Sequence, residues 1–116
     1  MKIEKELLNF KNRSLYCSSG DFWIDPIKPV KRALISHAHF DHMSFGCEEY
    51  ISSYETSIIL KERLGKDINI RAYDYGEHFK INGILISFHP SGHILGSSQI
   101  RLEAGGLTWL ITSDFK

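Results

Sequence analysis

The sequence predicts one α/β domain in which many short strands accompany a single helix. No internal repeat, low-complexity tract or Pro/Gly-rich linker divides the 116 residues. Short apolar runs recur along the chain, and such runs are typical of buried strands. One longer segment, residues 53–64, has the length and flanking residues of a helix. Together these observations favour an α/β layer arrangement built around one core.

The expected strands lie on both sides of the helix and are separated by turn residues. Two hairpin turns are predicted at Asn82-Gly83 and Gly105-Gly106, because both pairs tolerate positive φ angles. The strands are expected at residues 15–17, 22–24, 32–35, 68–73, 79–81, 84–88, 98–102 and 107–111.

The helix is predicted from its two ends and from its side-chain pattern. Ser52 and Glu55 have the spacing of a capping box, and Gly65 is expected to end the helix. Ile58 and Ile59 are expected on the apolar side. The sequence therefore predicts a helix that begins with a Ser52 cap and buries its isoleucines.

Composition narrows the class of protein. Lys plus Arg and Asp plus Glu both number 14, so the net charge is zero, without the basic excess typical of many nucleic-acid binders. No apolar run is long enough for a membrane span, and residues 1–10 lack the apolar stretch of a signal peptide. Cys17 and Cys47 have no CxxC partner, which predicts two buried thiols in a reducing compartment. We expect a cytoplasmic protein with no membrane association.

The strongest chemical signal is a cluster of His37, His39, Asp41 and His42 directly after the predicted strand at residues 32–35. Residues two apart in an extended segment point to the same side, so His37 and His39 can bind one metal ion. Asp41 and His42 can face a second ion. Imidazole and carboxylate are ligands of Zn²⁺ in catalytic sites, and Mn²⁺ accepts them as well. The alternative is a solvated polar loop, which the HxHxDH spacing disfavours.

Two later segments supply what the cluster lacks. His93 lies between Gly92 and Gly96, whose flexible backbone allows a tight turn after the strand at residues 84–88. Asp114 ends the last apolar strand, and a carboxylate in that position is suited to bridge two cations. Either residue alone is more typical of a turn; their order after the first cluster favours the metal site.

Other polar residues are weighed against plainer roles. Asp25, at a strand end before the cluster, is a candidate to hold the second nitrogen of a ligand histidine, and a turn acid before proline is the equal alternative. His78 and His89 are interpreted as non-ligands, with His78 facing solvent. A basic group that could meet phosphates, but that is better explained as a solvated strand edge, comprises Lys28, Lys31 and Arg32.

These motifs carry a resemblance to a known family. The stretches HAHFDH, SGHILGSSQI and TSDF resemble the first, second and third metal-binding stretches of the metallo-β-lactamase superfamily. GHILGS is similar to the nuclease branch, which has an inserted β-CASP domain. LYCSSGDFWIDP, PVKRALISHAHFDH and NGILISFHPSGHILGSSQ resemble the bacterial DNA-ligase-associated exonucleases, a group that includes RNA 3′-end-processing exonucleases. The resemblance runs from about residue 15 to residue 116.

The resemblance implies a metallo-β-lactamase-like αββα sandwich with two divalent metal ions, Zn²⁺ foremost and Mn²⁺ second. It implies that three histidines hold the first metal, that an acid and a histidine hold the second, and that another acid bridges them; these are His37, His39 and His93, then Asp41 and His42, then Asp114. Asp41 is also the candidate catalytic residue that orients the water. Family members have further histidines after the β-CASP insertion. We therefore expect residues 1–116 to be the amino-terminal half of the domain, with the carboxyl-terminal half missing.

The expected activity is metal-dependent phosphodiester hydrolysis by an exonuclease acting on single-stranded or end-containing DNA or RNA. The resemblance also implies a functional link to a DNA ligase. Two alternatives stay open. One is a small-molecule hydrolase acting on a thioester or lactone with the same fold, and the other is a metal-binding fragment that is catalytically incomplete.

Overall fold

The computed structural model describes residues 8–11, 14–36, 46–90 and 98–111, and the structural statements below concern these residues. Within them the chain forms two β-sheets and one α-helix. The sheets face each other across a common core, and the helix lies on the outer face of the larger sheet. The resulting layer order is helix, sheet, sheet.

The larger sheet, sheet A, has six strands in chain order. Its second strand is antiparallel to the first and to the third, whereas the third to the sixth run parallel. Their bounds are β1 Leu8–Lys11, β2 Ser14–Cys17, β3 Phe22–Ile24, β4 Arg32–Ile35, β5 Glu49–Ser53 and β6 Ile70–Tyr73. The parallel strands β4 and β5 are almost wholly buried because both faces of the sheet are covered.

The smaller sheet, sheet B, is an antiparallel meander of four strands. Its strands are β7 His78–Ile81, β8 Ile84–Pro90, β9 Ser98–Ala104 and β10 Leu107–Ile111. Both predicted hairpin turns are confirmed. Asn82 and Gly83 have φ angles of 49° and 84°, and Gly105 and Gly106 have 59° and 81°, as two-residue hairpin turns require.

The main core fills the space between the sheets. Sheet A contributes Phe22, Leu34 and Ile51, all fully buried. Sheet B contributes a row of alternating inward residues: Ile84, Ile86, Phe88, Ile100 and Leu102. At one side the sheet edges are closed by Tyr73 of β6 stacked on Phe79 of β7, with ring centroids 3.9 Å apart and planes 4° from parallel.

The helix α1, Tyr54–Leu64, covers the outer face of sheet A. Gly65 follows it with φ 116°, and its amide donates to the Lys61 carbonyl, so the predicted helix end is confirmed. The predicted Ser52–Glu55 capping box is wrong. Ser53 is the N-cap, and its hydroxyl accepts from the Thr56 amide at 3.2 Å. The cap moved by one residue because β5 continues through Ser53, which leaves Ser52 paired with Ile35 in the sheet.

The buried side of α1 also differs from the prediction. Ile58 is 53% exposed, and the residues buried against the sheet are Thr56, Ser57 and Leu60. The face that meets the sheet therefore passes through Thr56, Ser57 and Leu60 rather than through Ile58, and small polar side chains pack close to the strands. Leu60 packs with Ala33, Ile35, Cys47 and Tyr50 in a second, smaller core.

Remaining differences are local. Strand β6 begins at Ile70 rather than at residue 68, and neither β1 nor β5 was predicted. Cys17 and Cys47 are free thiols and both are buried, as the sequence predicted. Among the described helical residues none forms a helix long and apolar enough to span a bilayer.

Candidate metal centre

The candidate ligands lie outside the described residues. They fall in three segments, 37–45, 91–97 and 112–116, which carry His37, His39, Asp41 and His42, then His93, then Asp114. Their coordination therefore stays a prediction. What the structure does describe is the residues that flank these segments, namely Ser36, Gly46, Pro90, Ser98 and Ile111.

Two of the segments are anchored at the same point. Ser36 is the last described residue before the His37 cluster, and Ser98 is the first after the His93 segment. The Ser98 amide donates to the Ser36 carbonyl at 2.8 Å, which links the end of β4 in sheet A to the start of β9 in sheet B. Both serines are fully buried. The residue before one candidate ligand segment is thus hydrogen-bonded to the residue after another.

The register of sheet B brings the third segment to the same end. Pro90, the last residue of β8, pairs with Ser98, and Ile111, the last of β10, pairs with Ile100. In an antiparallel sheet, the carboxyl ends of β8 and β10 lie beside the amino end of β9. Segments 91–97 and 112–116 therefore both leave sheet B next to Ser98.

Sheet A presents the carboxyl ends of its parallel strands at this end of the sandwich. Leu34 pairs with Ile24 of β3, and Ile35 pairs with Ser52 of β5. The residues following β3 and β4, Asp25 and Ser36, therefore share one edge. In open α/β sheets the carboxyl ends of parallel strands are the usual place for ligand sites. The structure thus places described residues that flank the candidate ligand segments at such an edge, and the convergence of the ligands themselves stays a prediction.

Asp25 binds Ser36, the residue immediately before His37 in the sequence. Its carboxylate accepts from the Ser36 amide at 2.8 Å through Oδ1 and from the Ser36 hydroxyl through Oδ2. Its own amide donates to the Leu34 carbonyl at 2.9 Å. The residue has φ 48°, a left-handed conformation that Asp tolerates better than most residues because its short side chain bonds locally.

This geometry gives Asp25 a more specific place than the sequence could. Both carboxylate oxygens bind Ser36, the residue immediately before His37, so the side chain fixes the backbone that delivers the first candidate ligand. The sequence left two interpretations of Asp25, a partner of a ligand histidine and a plain turn acid. The structure adds a third role, because Asp25 holds the end of β4 as a clamp. A contact with a histidine ring concerns residues outside the described part of the chain and stays a prediction.

A buried polar layer beside the same edge was missed by sequence reasoning. Ser53 donates to Thr56 Oγ1 at 3.0 Å, and the Ser52 hydroxyl donates to the Ser53 carbonyl at 2.9 Å. The Ser57 hydroxyl donates to the Tyr54 carbonyl at 2.6 Å. The run of serines and a threonine after Ile51 was the available signal, because such residues at a strand–helix junction commonly bond to nearby backbone.

The residues that the sequence analysis set aside lie in the described part of the chain, and the non-ligand role of His89 stays a prediction. His78 is exposed, as predicted, and His89 lies 2.9 Å from the Ser87 hydroxyl through Nε2. Lys28 and Lys31 are exposed, whereas Arg32 forms an ion pair with Glu49 at 3.0 Å. Across the residues that the structure describes, no three His, Cys, Asp or Glu side chains converge closely enough to hold a metal.

The donor set fits a pair of divalent ions in composition. Four histidines and two aspartates occur in segments whose described flanks share one end of the sandwich. Neutral imidazoles and carboxylates suit Zn²⁺ at catalytic sites, and neither described cysteine lies at this edge to compete as a ligand.

Comparison with curated proteins finds relatives that are named as enzymes of nucleic acids. The chain is 33% identical over 107 residues to a probable DNA ligase of Opitutus terrae, a match that covers 90% of this chain and 10% of the relative. It is 28% identical over 108 residues to an endoribonuclease of Yarrowia lipolytica, with coverage of 92% and 11%. An RNase J-like protein of Methanocaldococcus jannaschii is 32% identical over 108 residues, with coverage of 75% and 26%. No family model matches the chain.

Solved structures show the fold. The diiron β-hydroxylase of Streptomyces venezuelae superposes with a TM-score of 0.64 at 15% identity, covering 93% of this chain and 29% of that one. A subclass B3 metallo-β-lactamase from a soil metagenome gives 0.60 at 18% identity, covering 90% and 56%.

The structural matches show the fold, and the sequence matches show which curated proteins are related to the chain. The chain has the metallo-β-lactamase fold, and the fold class expected from the sequence is confirmed, with three layers, helix, sheet and sheet, formed by the described residues. Its curated relatives include an endoribonuclease and an RNase J-like protein, in line with the nuclease branch that the sequence motifs resemble. The chain spans about a tenth of the length of the first two relatives and about a quarter of the third.

Proposed function

We propose that this chain supplies part of a two-metal site for phosphodiester hydrolysis on DNA or RNA ends. The observation that carries the proposal is the hydrogen bond between Ser98 and Ser36, which ties together two of the three segments that contain the candidate ligands. The names of the curated relatives, a DNA ligase and nucleases, support nucleic acid as the substrate class and a functional link to DNA ligation.

In this proposal each candidate ligand keeps the role that the resemblance implies. His37, His39 and His93 would hold the first ion, Asp41 and His42 the second, and Asp114 both. When bound, two divalent ions would neutralise phosphate charge and lower the pKa of the attacking water. Asp41 would also orient that water.

Asp25 is proposed as a positioning residue for this site. Its carboxylate accepts hydrogen bonds from the amide and the hydroxyl of Ser36, the residue that precedes His37 in the sequence. Residues that orient ligands in this way commonly change metal affinity by about 10- to 100-fold when they are replaced. Asp25 would therefore tune the site without bonding to the metal.

The organisation of the protein is proposed on the same basis. Residues 1–116 are interpreted as the amino-terminal half of a metallo-β-lactamase-fold domain. A cytoplasmic location is supported by two free, buried cysteines, since reduced thiols are typical of that compartment. Zn²⁺ is the first candidate metal and Mn²⁺ the second.

The test compares His39→Ala with a matched control, His78→Ala, because His78 is exposed and outside the proposed set. Bound Zn²⁺ and Mn²⁺ are measured per chain by elemental analysis after equilibration with each metal. We expect His39→Ala to lose most of the bound metal and His78→Ala to keep it. Equal losses from both variants would reject this choice of ligands.

Activity assays separate the substrate classes. Single-stranded DNA, single-stranded RNA and a thioester are offered with Zn²⁺ or Mn²⁺, with a chelator as the control. Cleavage of the nucleic acids alone supports the nuclease, whereas turnover of the thioester alone supports the small-molecule hydrolase. Metal binding without turnover of any substrate would support the incomplete metal-binding fragment.

A further inference from the structure

A cleft of about 210 Å³ opens between the two sheets, towards the end of β4 opposite to Ser36. It lies along the edge strands β6 and β7, and Arg32 in its wall is the first residue of β4, whereas Ser36 follows the last. Its lining consists of Arg32, Ile51, Arg71, Lys80, Ile81 and Asn82. Three of these six residues are cationic, in a chain whose net charge is zero.

One carboxylate organises two of the cations. Glu49 Oε1 lies 3.0 Å from Arg32 Nε, and Glu49 Oε2 lies 2.8 Å from Arg71 Nη2. The Glu49 side chain is only 13% exposed, so its charge is well shielded from water. Each contact occupies one of the five N–H donors of a guanidinium group. Donors therefore remain on both arginines at the cleft.

The charges of this cluster do not balance. Glu49 neutralises one positive charge, and Arg32, Arg71 and Lys80 carry three. A hydrogen bond with Tyr73 and the charge of Glu49 raise the pKa of Arg71, so this positive charge is retained at every accessible pH. Two guanidinium groups held by one carboxylate keep a net positive charge, which a further anion would neutralise. The apolar wall formed by Ile51 and Ile81 strengthens the attraction for such an anion, because the local dielectric constant is lower.

We propose that this cleft binds a phosphate-class oxyanion between Arg32 and Arg71. Guanidinium groups match the oxygens of phosphate in pairs, and both arginines keep N–H donors that their contacts with Glu49 do not use. The phosphate can come from two sources. One is free phosphate or a nucleotide, and the other is the backbone phosphate of a nucleic acid. A purely structural role, in which the ion pairs only join β4, β5 and β6, predicts no specific anion binding.

The first experiment is a titration with inorganic phosphate followed by backbone amide NMR, with chloride at matched ionic strength as the control. We expect saturable shifts at Ile51, Arg71 and Asn82. Shifts at Ser36 and Ser98 report the proposed metal region separately, so failure of one site does not imply failure of the other. Absence of saturable shifts around the cleft with both phosphate and the oligonucleotide described below would overturn the proposal.

A pair of variants tests the residues. Arg71→Gln should weaken phosphate binding by about tenfold, because a charge-assisted hydrogen bond is lost. Arg71 is 57% exposed, so the variant should still fold. Lys61→Gln, in the exposed last turn of α1, is the matched control and should leave the affinity unchanged. Equal affinities of Arg71→Gln and wild type would overturn the site.

A third variant gives an effect of opposite sign. Glu49→Gln removes the internal anion with little change in shape, so phosphate binding should become tighter by several-fold while the ion pairs are lost. Weaker phosphate binding by a folded Glu49→Gln variant would contradict the charge argument. If Glu49→Gln does not fold, the comparison of Arg71→Gln with Lys61→Gln decides alone.

The source of the phosphate is tested with an oligothymidylate in place of inorganic phosphate. Binding of both ligands with the same loss in Arg71→Gln indicates a site for any phosphate. Binding of the oligonucleotide alone, with that loss, assigns the cleft to a nucleic-acid backbone. Oligonucleotide binding that ignores Arg71 and occurs without phosphate binding would overturn the proposal.

Discussion

Sheet A and sheet B differ in how many of their faces are covered. The parallel strands of sheet A have the inter-sheet core on one face and α1 on the other, so β4 and β5 are buried along almost their whole length. Sheet B alternates: in β9 the residues Ser98, Ile100 and Leu102 are buried, and those between them are partly exposed. Leu110 of β10 is 57% exposed.

The difference explains where stability and the proposed chemistry are located. Coverage on both faces fixes the ends of the parallel strands, and Asp25 and Ser36 lie at those ends. Sheet B supplies one wall of the core, and its strand ends carry the segments with His93 and Asp114. We therefore expect substitutions in the parallel strands to cost more stability than those on the outer face of sheet B.

The largest effect is expected from Leu34→Ala compared with Leu110→Ala. Leu34 is fully buried between the sheets, and truncating a buried leucine costs about 2–5 kcal/mol. Leu110 is exposed, and the loss there should stay within about 0.5 kcal/mol. The free energy of unfolding from urea denaturation measures both. Similar losses would show that the outer face of sheet B is covered in solution.

A smaller effect is expected from Asp25→Ala. The variant leaves the buried Ser36 amide without its acceptor and places alanine at φ 48°, for a total of about 2–3 kcal/mol. Asp25→Asn keeps one acceptor oxygen and tolerates the same φ, so it should lose less.

Metal content sharpens this prediction. If Asp25 positions His37, Asp25→Ala should bind Zn²⁺ more weakly by about 10- to 100-fold, even at temperatures at which it is fully folded. Asp25→Asn should fall between this variant and wild type. Full metal affinity in a folded Asp25→Ala protein would assign Asp25 to the strand end alone.

The corrected helix cap is tested by Ser53→Ala against Ser52→Ala. Loss of the Ser53 hydroxyl removes the acceptor of the Thr56 amide and should cost about 1 kcal/mol. Ser52→Ala should leave that amide protected, because the Ser52 hydroxyl bonds elsewhere. Hydrogen exchange at Thr56 distinguishes them. Faster exchange in Ser52→Ala than in Ser53→Ala would restore the capping box that the sequence suggested.

The smallest effect is a dependence on alkaline pH. Burial in the inter-sheet core raises the pKa of the Cys17 thiol above its ordinary value of 9.0. The unfolded chain then releases the proton at a lower pH than the folded one, so this contribution to stability is complete below pH 9 and falls as the pH rises beyond it. Urea denaturation of wild type and Cys17→Ala from pH 7 to pH 10 measures the slope. Parallel slopes would contradict this assignment.

Sequence reasoning worked best where local rules dominate. The hairpin turns at Asn82-Gly83 and Gly105-Gly106, and the helix end at Gly65, depend on backbone conformations that few residues adopt. The cap at Ser53 was missed because several adjacent serines satisfy the local rule equally, and the choice among them is made by the pairing of Ser52 with Ile35.

The candidate site could be recognised from the sequence in part. Spacing within HxHxDH and the order of the later segments indicated a metal site. The sequence could not show that the residues flanking these segments lie at one end of the sandwich, because this depends on contacts between distant strands. The clamp formed by Asp25 was visible only as an acid before proline, since its partner Ser36 is eleven positions away. Of the three cations in the cleft, the sequence analysis had singled out only Arg32, because Arg71 and Lys80 lie on other strands.

The contact between Ser36 and Ser98 has a consequence for the order of folding. These serines are separated by more than half of the chain, so their hydrogen bond closes a long loop. Long loops carry a high closure entropy, and their contacts form late unless other interactions bring the ends together. The strand hairpins can form early and independently, whereas this bond requires both sheets to be docked. Ions that bind beside it would act late in folding, by stabilising the docked pair rather than by nucleating either sheet.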